Sequence, residues 1–204
     1  KIHVDFRGSL CDNQRSAVEH LIKYDNGILS AATAFGKTVV CCNIIACKKV
    51  NTLILLESSS LVEQWVKAIE NFLLINEELQ TYRTKTGILK VRKSNIGVLH
   101  GSKDTTTGII DIAMVGTLYS KGKFHPRLQE YGMVIIDECH HAASDTIQHI
   151  LQEVKAKYVY GVTATPIRED GLDKINYMLI GPIRFVYSSK ERATEQGIEH
   201  LVYP

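Results

Sequence analysis

The chain has 204 residues, enough for one large domain, and 45% of them are hydrophobic, as in ordinary soluble globular proteins. Its net charge of +2 excludes a globally basic protein, so any nucleic-acid-binding surface must be local. No apolar stretch approaches the ~18 residues that span a bilayer, so no membrane partner is expected. The first residues lack a signal-peptide layout and an initiator methionine, which predicts an excised segment of a cytoplasmic protein.

Five cysteines are scattered along the chain without the paired C-x2-C spacing of a zinc site. Three of them, Cys41, Cys42 and Cys47, lie on one predicted buried helix. Cysteine often behaves as a small core hydrophobe, and thiols persist in reducing compartments. We therefore expect buried free thiols in a reducing cytoplasm.

Apolar runs alternate with helical patterns, which predicts an α/β fold with a parallel sheet covered by helices on both faces. The predicted strands are Gly27–Ser30, Thr52–Leu56, Ile96–Leu99, Ile110–Val115, Met133–Ile136, Tyr158–Val162 and Arg184–Tyr187. The predicted helices are Asp12–Lys23, Lys37–Lys48, Leu61–Phe72, Thr146–Glu153 and Asp173–Leu179. The apolar stripe of Leu61–Phe72 includes Trp65, which we expect in the core and not on a base-stacking surface.

The polar segment Asn76–Asn95 interrupts this alternation. It carries five basic residues, namely Arg83, Lys85, Lys90, Arg92 and Lys93. One interpretation is a solvated loop or hairpin. The other is a phosphate-contacting patch, because Lys and Arg supply the salt-dependent part of nucleic-acid binding.

The segment from Ala31 to Thr38 follows a predicted strand and precedes an apolar helix, which is the context of a phosphate loop. Backbone N–H groups of such a turn point at phosphate oxygens. Lys37 is predicted to reach the β- and γ-phosphates, and Thr38 to offer its hydroxyl to Mg²⁺. The strict pattern has glycine where this chain has Ala31, and alanine fits there if its φ is negative.

An acidic pair, Asp137 and Glu138, follows the apolar run Met133–Ile136. Open α/β sheets bind their ligands at the carboxyl ends of such strands. If strand geometry persists, the two side chains point to different sides. We predict that Asp137 holds hydrated Mg²⁺ and that Glu138 is the general base for the attacking water. His140 is expected near the γ-phosphate, and His141 is expected to be structural.

The run Tyr158–Val162 ends in Thr163, Ala164, Thr165 and Pro166. Two hydroxyls at a strand end beside a triphosphate can bond to the acidic pair and respond to the γ-phosphate. The alternative is a strand that simply ends in a proline turn.

Taken in this order, the three motifs resemble the first RecA-like motor domain of superfamily 2 helicases of the DExH type. The resemblance spans about Ser9 to Tyr187. It implies a P-loop NTPase that binds ATP and Mg²⁺, with catalytic roles for Lys37, Glu138, His140, Thr163 and Thr165. The implied nucleotide contacts are Gln14, Ala34, Phe35, Gly36, Lys37, Thr38 and Val39, and the implied metal ligands are Thr38 and Asp137. Gln14 resembles the adenine-reading glutamine, whose amide can pair with a donor and an acceptor, although a helix-start polar residue is the alternative.

Two further segments resemble the XPB-like branch, which includes the ResIII-type motor subunits of restriction enzymes. They are Thr33–Thr38 and Thr163–Gly171, and Leu179–Pro182 also fits. Within them, Arg168, Glu169 and Asp170 resemble an element implicated there in handling duplex DNA. A charged surface turn is the alternative interpretation.

The resemblance also implies nucleic-acid contacts at strand ends, which suit phosphate binding without sequence readout. These residues are Ser58, Ser59, Ser60 and Gln64 in one loop and Thr117 and Leu118, after Gly116, in a second. The three serines depart from the usual Pro-Thr at that place. Ser60 is equally a candidate N-cap for Leu61–Phe72, with Glu63 completing a capping box.

We therefore expect residues 1–187 to form a single RecA-like lobe and 188–204 to be a linker or edge segment. A second lobe in the same polypeptide would supply the arginine finger, so the lobe alone should be a nearly inactive ATP hydrolase. The predicted function is the motor lobe of a helicase or translocase acting on nucleic acid, with duplex DNA favoured. The alternatives are an RNA helicase lobe, a restriction or DNA-defence motor subunit, and a non-hydrolysing nucleic-acid-binding scaffold.

Overall fold

The computed structural model describes residues 1–84, 86–141, 144–164 and 173–188. The strands are β1 Val4–Phe6, β2 Asn26–Ala31, β3 Thr52–Leu56, β4 Leu73–Ile75, β5 Thr81–Arg83, β6 Leu89–Val91, β7 Ile96–His100, β8 Lys103–Asp104, β9 Ile110–Met114, β10 Tyr119–Ser120, β11 Lys123–Phe124, β12 Met133–Asp137, β13 Tyr158–Thr163 and β14 Ile183–Tyr187. The α-helices are α1 Asp12–Ile22, α2 Lys37–Lys48, α3 Ser60–Phe72, α4 Val115–Leu118, α5 Asp145–Glu153 and α6 Asp173–Ile180. Short 3-10 helices cover Pro126–Gln129 and Cys139–His141.

Eight strands form the central sheet in the order β14-β2-β13-β12-β3-β9-β7-β8. All neighbours are parallel except β7 and the edge strand β8. The predicted α/β class and the predicted strands are confirmed, with ends that differ by a residue or so. For example, β9 stops at Met114 because Val115 already begins α4.

The core lies on both faces of this sheet. On one face, α1, α2 and α3 pack buried side chains against alternate strand residues such as Ile54 and Ile135. On the other face, α4, α5 and α6 pack against the intervening residues, such as Leu53 and Val134. This alternation follows from the two-residue period of a strand and confirms helices on both faces.

The amino end of α3 differs in detail from one of the expectations. The helix begins at Ser60, with Ser59 as its N-cap and no side-chain capping bond. Ser60 is therefore not the N-cap, and its hydroxyl instead bonds to the Ser58 hydroxyl at 2.7 Å. The predicted apolar stripe is confirmed, since Trp65 and Ile69 are both fully buried.

The basic segment contains a hairpin of β5 and β6. Gln80 Nε2 donates to the Thr107 carbonyl at 2.7 Å, and Arg92 Nη1 donates to the Thr105 carbonyl at 2.8 Å. Both carbonyls lie between β8 and β9, so the hairpin is attached beside the edge strand β8. Lys90, Arg92 and Lys93 therefore lie beside Asp104 and Thr105 at this lateral edge of the sheet, and Lys85 lies outside the described residues.

The cysteines divide into two groups. Cys41, Cys42 and Cys139 are buried, and burial raises the pKa of the Cys42 thiol to about 12. Cys11 and Cys47 are exposed, so the expectation of a core position was wrong for Cys47. Cys47 lies in the last turn of α2, where its thiol donates to Asn43 Oδ1 at 3.4 Å.

No helix in the described ranges is long and apolar enough to cross a bilayer.

Candidate functional site

Three adjacent strands carry the predicted catalytic motifs to one edge of the sheet. β13 lies between β2 and β12, and all three are parallel. Thr163 pairs in register with Ser30 on one side, and Val162 pairs with Asp137 on the other. The loop after β2, the acidic pair after β12 and the end of β13 therefore meet at the carboxyl edge, where open α/β sheets bind ligands.

The loop between β2 and α2 has the backbone of a tight turn. Ala31 ends β2 in extended conformation and is buried, which agrees with the condition set for an alanine at that place. Ala34 and Gly36 are both left-handed, with φ of 66° and 84°. The Phe35 N–H donates to the Ala32 carbonyl at 3.1 Å and closes the turn. Helix α2 begins immediately afterwards, so its first-turn N–H groups face the loop.

Lys37 and Thr38 open α2 and are half-buried. The Lys37 ammonium donates to the Ala31 carbonyl at 3.2 Å, so it lies over the mouth of the loop. Its positive charge acts on the Asp137 carboxylate and partly lowers the pKa of that group. The lysine charge thus acts on the same carboxylate that is predicted to hold the cation.

Gln14 is the link between α1 and the phosphate loop. Its Oε1 accepts the Cys11 N–H at 3.1 Å, and its Nε2 donates to the Phe35 carbonyl at 2.8 Å. The first bond is the helix-start role that was the alternative for this residue. A glutamine amide has a second N–H and a second lone pair, so these bonds orient the amide without exhausting it.

The acidic pair is arranged by a left-handed turn. β12 ends at Asp137, and Glu138 has φ of 50°, so strand geometry does not persist to Glu138 as the sequence argument assumed. The Glu138 N–H donates to Asp137 Oδ1 at 2.9 Å, and Trp65 Nε1 donates to Asp137 Oδ2 at 2.8 Å. Burial raises the pKa of Asp137, while the Trp65 bond and the Lys37 charge oppose that rise.

Glu138, His140 and Thr163 form a hydrogen-bonded group. His140 Nδ1 lies 2.9 Å from Thr163 Oγ1 and 3.3 Å from Glu138 Oε2. Thr163 Oγ1 and the Ala164 N–H both lie 3.5 Å from the same carboxylate oxygen. The structure thus brings together the end of β13 and the acidic pair. Thr165, the second predicted hydroxyl, lies outside the described residues.

Cys139 holds this turn against β13. Its side chain is fully buried, and a Cβ added at Gly161 would lie 2.7 Å from its Sγ. The turn that carries Glu138 can approach β13 this closely because residue 161 has no side chain.

The predicted nucleic-acid residues follow other strands at the same edge. Ser58, Ser59, Ser60 and Gln64 are all exposed, directly after β3. Thr117 Oγ1 accepts the Gly101 N–H at 3.1 Å. The Leu118 side chain is buried in the core on the face that α4, α5 and α6 cover, so Leu118 offers a ligand only its backbone. Arg168, Glu169 and Asp170 lie outside the described residues.

The donor set fits a magnesium ion shared with a phosphate. Among the described residues there is no group of three or more His, Cys, Asp or Glu that could hold a metal ion. Mg²⁺ usually takes only one or two carboxylates and completes its shell with water and substrate phosphates. Asp137 and the hydroxyl of Thr38 are oxygen donors of the kind that such an ion takes.

Trp65 is the site residue whose role the sequence argument missed. It was expected in the core and is there, but its N–H also reaches the carboxylate of Asp137. A buried indole N–H normally finds a partner, which was a usable signal. The partner itself is 72 residues away in sequence and follows only from the packing of α3 against the sheet.

A parallel sheet with a phosphate loop, an acidic pair two strands away and helices on both faces defines a RecA-like P-loop NTPase domain. The model of the family described as "Type III restriction enzyme, res subunit" (ResIII) matches residues 7–168, and the chain belongs to that family. Its relatives further assign it to the XPB-like branch of superfamily 2, as the resemblance implied.

Two curated relatives illustrate this assignment, and one solved structure illustrates the fold. The DNA 3'-5' translocase XPB2 of Sulfurisphaera tokodaii is 30% identical over 188 residues, covering 90% of this chain and 37% of the relative. The DNA repair helicase/translocase XPB-R of Trypanosoma brucei brucei is 29% identical, covering 86% of this chain and 28% of the relative. The SWI2/SNF2 ATPase core of Sulfolobus solfataricus in complex with dsDNA has a TM-score of 0.64 at 17% identity, covering 93% of this chain and 39% of that one.

The chain thus spans about a third of the length of these two curated relatives.

Proposed function

We propose that this chain is the first RecA-like lobe of an ATP-dependent DNA helicase or translocase. The observation that carries the proposal is the meeting of Lys37, Asp137, Glu138 and Thr163 at one edge of the sheet. A lysine over a phosphate loop, a metal carboxylate and a base carboxylate are the parts that phosphoryl transfer to water requires.

In this proposal ATP binds with its triphosphate in the turn formed by Ala34, Phe35 and Gly36 and against the start of α2 at Lys37–Val39. The N–H groups of Lys37 and Thr38 precede the first bond within the helix and face the phosphate oxygens, whereas those of Phe35 and Val39 donate to the Ala32 and Gly36 carbonyls and shape the turn. Gln14 contacts the adenine edge with the N–H and lone pair that its two bonds to Cys11 and Phe35 leave for a ligand. Those bonds support the role because they hold the amide still before the base arrives.

Asp137 and Thr38 would hold Mg²⁺ bound with ATP. When bound, the ion neutralises charge that develops on the phosphate oxygens. Asp137 is suited to this because both of its oxygens are already oriented by hydrogen bonds.

Glu138 is the general base in this mechanism. Its carboxylate is about a third exposed, so a water can approach it. Glu138 takes a proton from that water as the water oxygen attacks the γ-phosphorus, and the bond from that phosphorus to the β–γ bridging oxygen breaks, leaving ADP and phosphate. Thr163 and His140 lie against the same carboxylate and orient it. Because Thr163 belongs to β13 and Glu138 follows β12, their contact links the ends of the two strands beside the proposed γ-phosphate position.

DNA is the proposed track. Two relatives carry DNA translocase or DNA repair helicase in their names, and a solved structure with the same fold holds duplex DNA. Exposed hydroxyls at Ser58, Ser59 and Ser60, with Gln64, suit phosphate contacts without sequence readout. Thr117 and the Leu118 backbone, and Arg168–Asp170 in the XPB-like element, complete the proposed contacts.

A second RecA-like lobe of the same polypeptide is the proposed partner of residues 1–187, reached through 188–204. An arginine finger from a partner is worth about 10³–10⁵ in rate. The lobe alone is therefore expected to bind ATP weakly and to hydrolyse it very slowly. Stepping along DNA would come from closure and opening of the two lobes.

The test is the steady-state ATPase rate of the full-length parent without nucleic acid and with duplex DNA, single-stranded DNA or single-stranded RNA. We expect strong stimulation by duplex DNA and its loss in Glu138→Gln. Stimulation by RNA alone would replace the track and keep the motor. Absence of ATPase activity in every arm, or equal nucleotide binding by this chain and its Lys37→Ala variant, would refute the site.

A further inference from the structure

Trp65, on helix α3, contacts Asp137, the proposed metal ligand at the end of β12. It lies in the second turn of α3 and is fully buried. Its Nε1 donates to Asp137 Oδ2 at 2.8 Å. It is also the single tryptophan of the chain, so tryptophan fluorescence comes from this side chain alone.

The carboxylate of Asp137 is held by two donors from two different elements. Oδ1 accepts the N–H of Glu138, which belongs to the same turn. Oδ2 accepts the indole N–H, which comes from α3. The first bond cannot by itself stop the carboxylate from rotating with its own turn, whereas the second anchors it to a separate helix.

The anchor is rigid because of what surrounds it. The indole belongs to the core cluster that α2 and α3 form with the sheet, together with neighbours such as Val40, Ile54 and Ile69. Close-packed side chains of this kind do not change rotamer freely. An indole N–H is a donor and never an acceptor, so Asp137 Oδ2 is always the acceptor in this pair.

We propose that Trp65 is a positioning residue for the magnesium ligand, fixing the Asp137 carboxylate from helix α3. The proposal rests on the proposed function, since it takes Asp137 as the ligand of Mg²⁺ bound with ATP. Outer partners of metal ligands set ligand orientation, and their removal typically costs about 10–100-fold in metal affinity. A merely structural tryptophan would instead affect stability and nucleotide binding without regard to the cation.

The experiment compares this chain with its Trp65→Phe variant, which keeps an aromatic ring and removes the N–H. Equilibrium binding of a non-hydrolysable ATP analogue is measured in EDTA and across a Mg²⁺ titration. We expect the Mg²⁺ concentration for half-maximal binding to rise by about 10-fold in the variant. Binding in EDTA should stay within about twofold of the unmodified chain, because the phosphate loop is untouched.

Ile69→Val is the matched control. Ile69 is fully buried one turn further along α3, and the substitution loosens the same packing without removing a polar contact. Its Mg²⁺ dependence should equal that of the unmodified chain. If Ile69→Val shifts the Mg²⁺ dependence as much as Trp65→Phe, packing explains the effect and the positioning role is wrong.

Trp65 fluorescence supplies a second measurement that needs no variant. With excitation of the single tryptophan, the ATP analogue with Mg²⁺ should change its emission, and the analogue in EDTA should leave it largely unchanged. Saturable Mg²⁺-dependent binding with unchanged emission would overturn the inference, even if Trp65→Phe failed to fold.

The two ideas fail in different ways. Equal Mg²⁺ dependence in Trp65→Phe and the unmodified chain overturns the positioning role and leaves the ATP site standing. Nucleotide binding that ignores Mg²⁺ in the unmodified chain, or that survives unchanged in Lys37→Ala, overturns the proposed function and the inference with it.

Discussion

Asp111 in β9 is a fully buried carboxylate whose replacement should be among the most destabilising single changes in this domain. Its Oδ1 accepts the Thr107 N–H at 2.8 Å and the Thr107 hydroxyl at 3.0 Å. Its Oδ2 accepts the Gly108 N–H at 2.7 Å and the Tyr131 hydroxyl at 2.6 Å. One side chain therefore satisfies four donors and ties the loop before β9 to the approach to β12.

The expected cost follows from those four bonds. A hydrogen bond to a charged group contributes about 1.5–3 kcal/mol to stability. Donors that lose their acceptor regain part of this free energy, because they can shift position or bond to water. Breaking a buried charged network by removing one partner usually costs about 3–5 kcal/mol, and we expect that for Asp111→Ala. This is a large share of the ~5–15 kcal/mol by which domains are usually stable.

Two milder variants test how much individual hydrogen bonds to Asp111 contribute to stability. Tyr131→Phe removes one bond and should cost about 1–2 kcal/mol. In Asp111→Asn the amide NH₂ replaces one oxygen and opposes one backbone N–H, while the hydroxyl on that side can turn to accept from it, so a smaller cost than that of Asp111→Ala is expected. Adding Tyr131→Phe to Asp111→Ala should cost little more, because the shared bond is already lost.

The assay is urea unfolding at equilibrium, followed by the fluorescence of Trp65, which is buried and unique in the chain. A free energy of unfolding for Asp111→Ala within about 1 kcal/mol of the unmodified chain would refute the network argument. So would full additivity of the two variants.

Three other changes have defined outcomes. Ala34→Gly should raise the free energy of unfolding by about 1 kcal/mol, because Ala34 has a left-handed φ of 66° that glycine adopts without strain. A lower melting temperature in the variant would contradict this. Gly161→Ala should destabilise by about 1–3 kcal/mol in urea unfolding, since the new Cβ would lie 2.7 Å from Cys139 Sγ; unchanged stability would show that the turn can yield. Gln14→Ala should weaken binding of ATP more than that of GTP in a competition assay, because the oriented amide is lost, and equal losses would remove the adenine role.

Much of the fold could be predicted from local pattern. Buried strands such as Thr52–Leu56 and Met133–Asp137 are near-continuous apolar runs, and α3 shows its apolar stripe at helical spacing. The strands β1 and β4, which form a separate two-stranded sheet, could not be found in this way. Each has three residues, and their pairing depends on a contact between Val4 and Ile75.

The site was predictable in composition more than in geometry. Four site residues could be identified from the sequence, because phosphate and metal chemistry needs those residue types after strands. They are Lys37, Thr38, Asp137 and Glu138. The direction of Glu138 could not be predicted, since strand alternation was the natural assumption and its φ of 50° breaks it. That conformation depends on how the turn packs, with Cys139 buried against Gly161 of the neighbouring strand.

The amino-acid sequence was thus sufficient for the class of fold, the order of the motifs and the family, because each depends on residues close together in the chain. Contacts between distant residues needed the folded molecule. They include the bond from Trp65 to Asp137, the four-donor group around Asp111, and the placement of the basic hairpin beside the edge strand β8. Hydrophobic periodicity encodes which face of an element is buried, but the partner across the core is chosen by close packing of the whole chain.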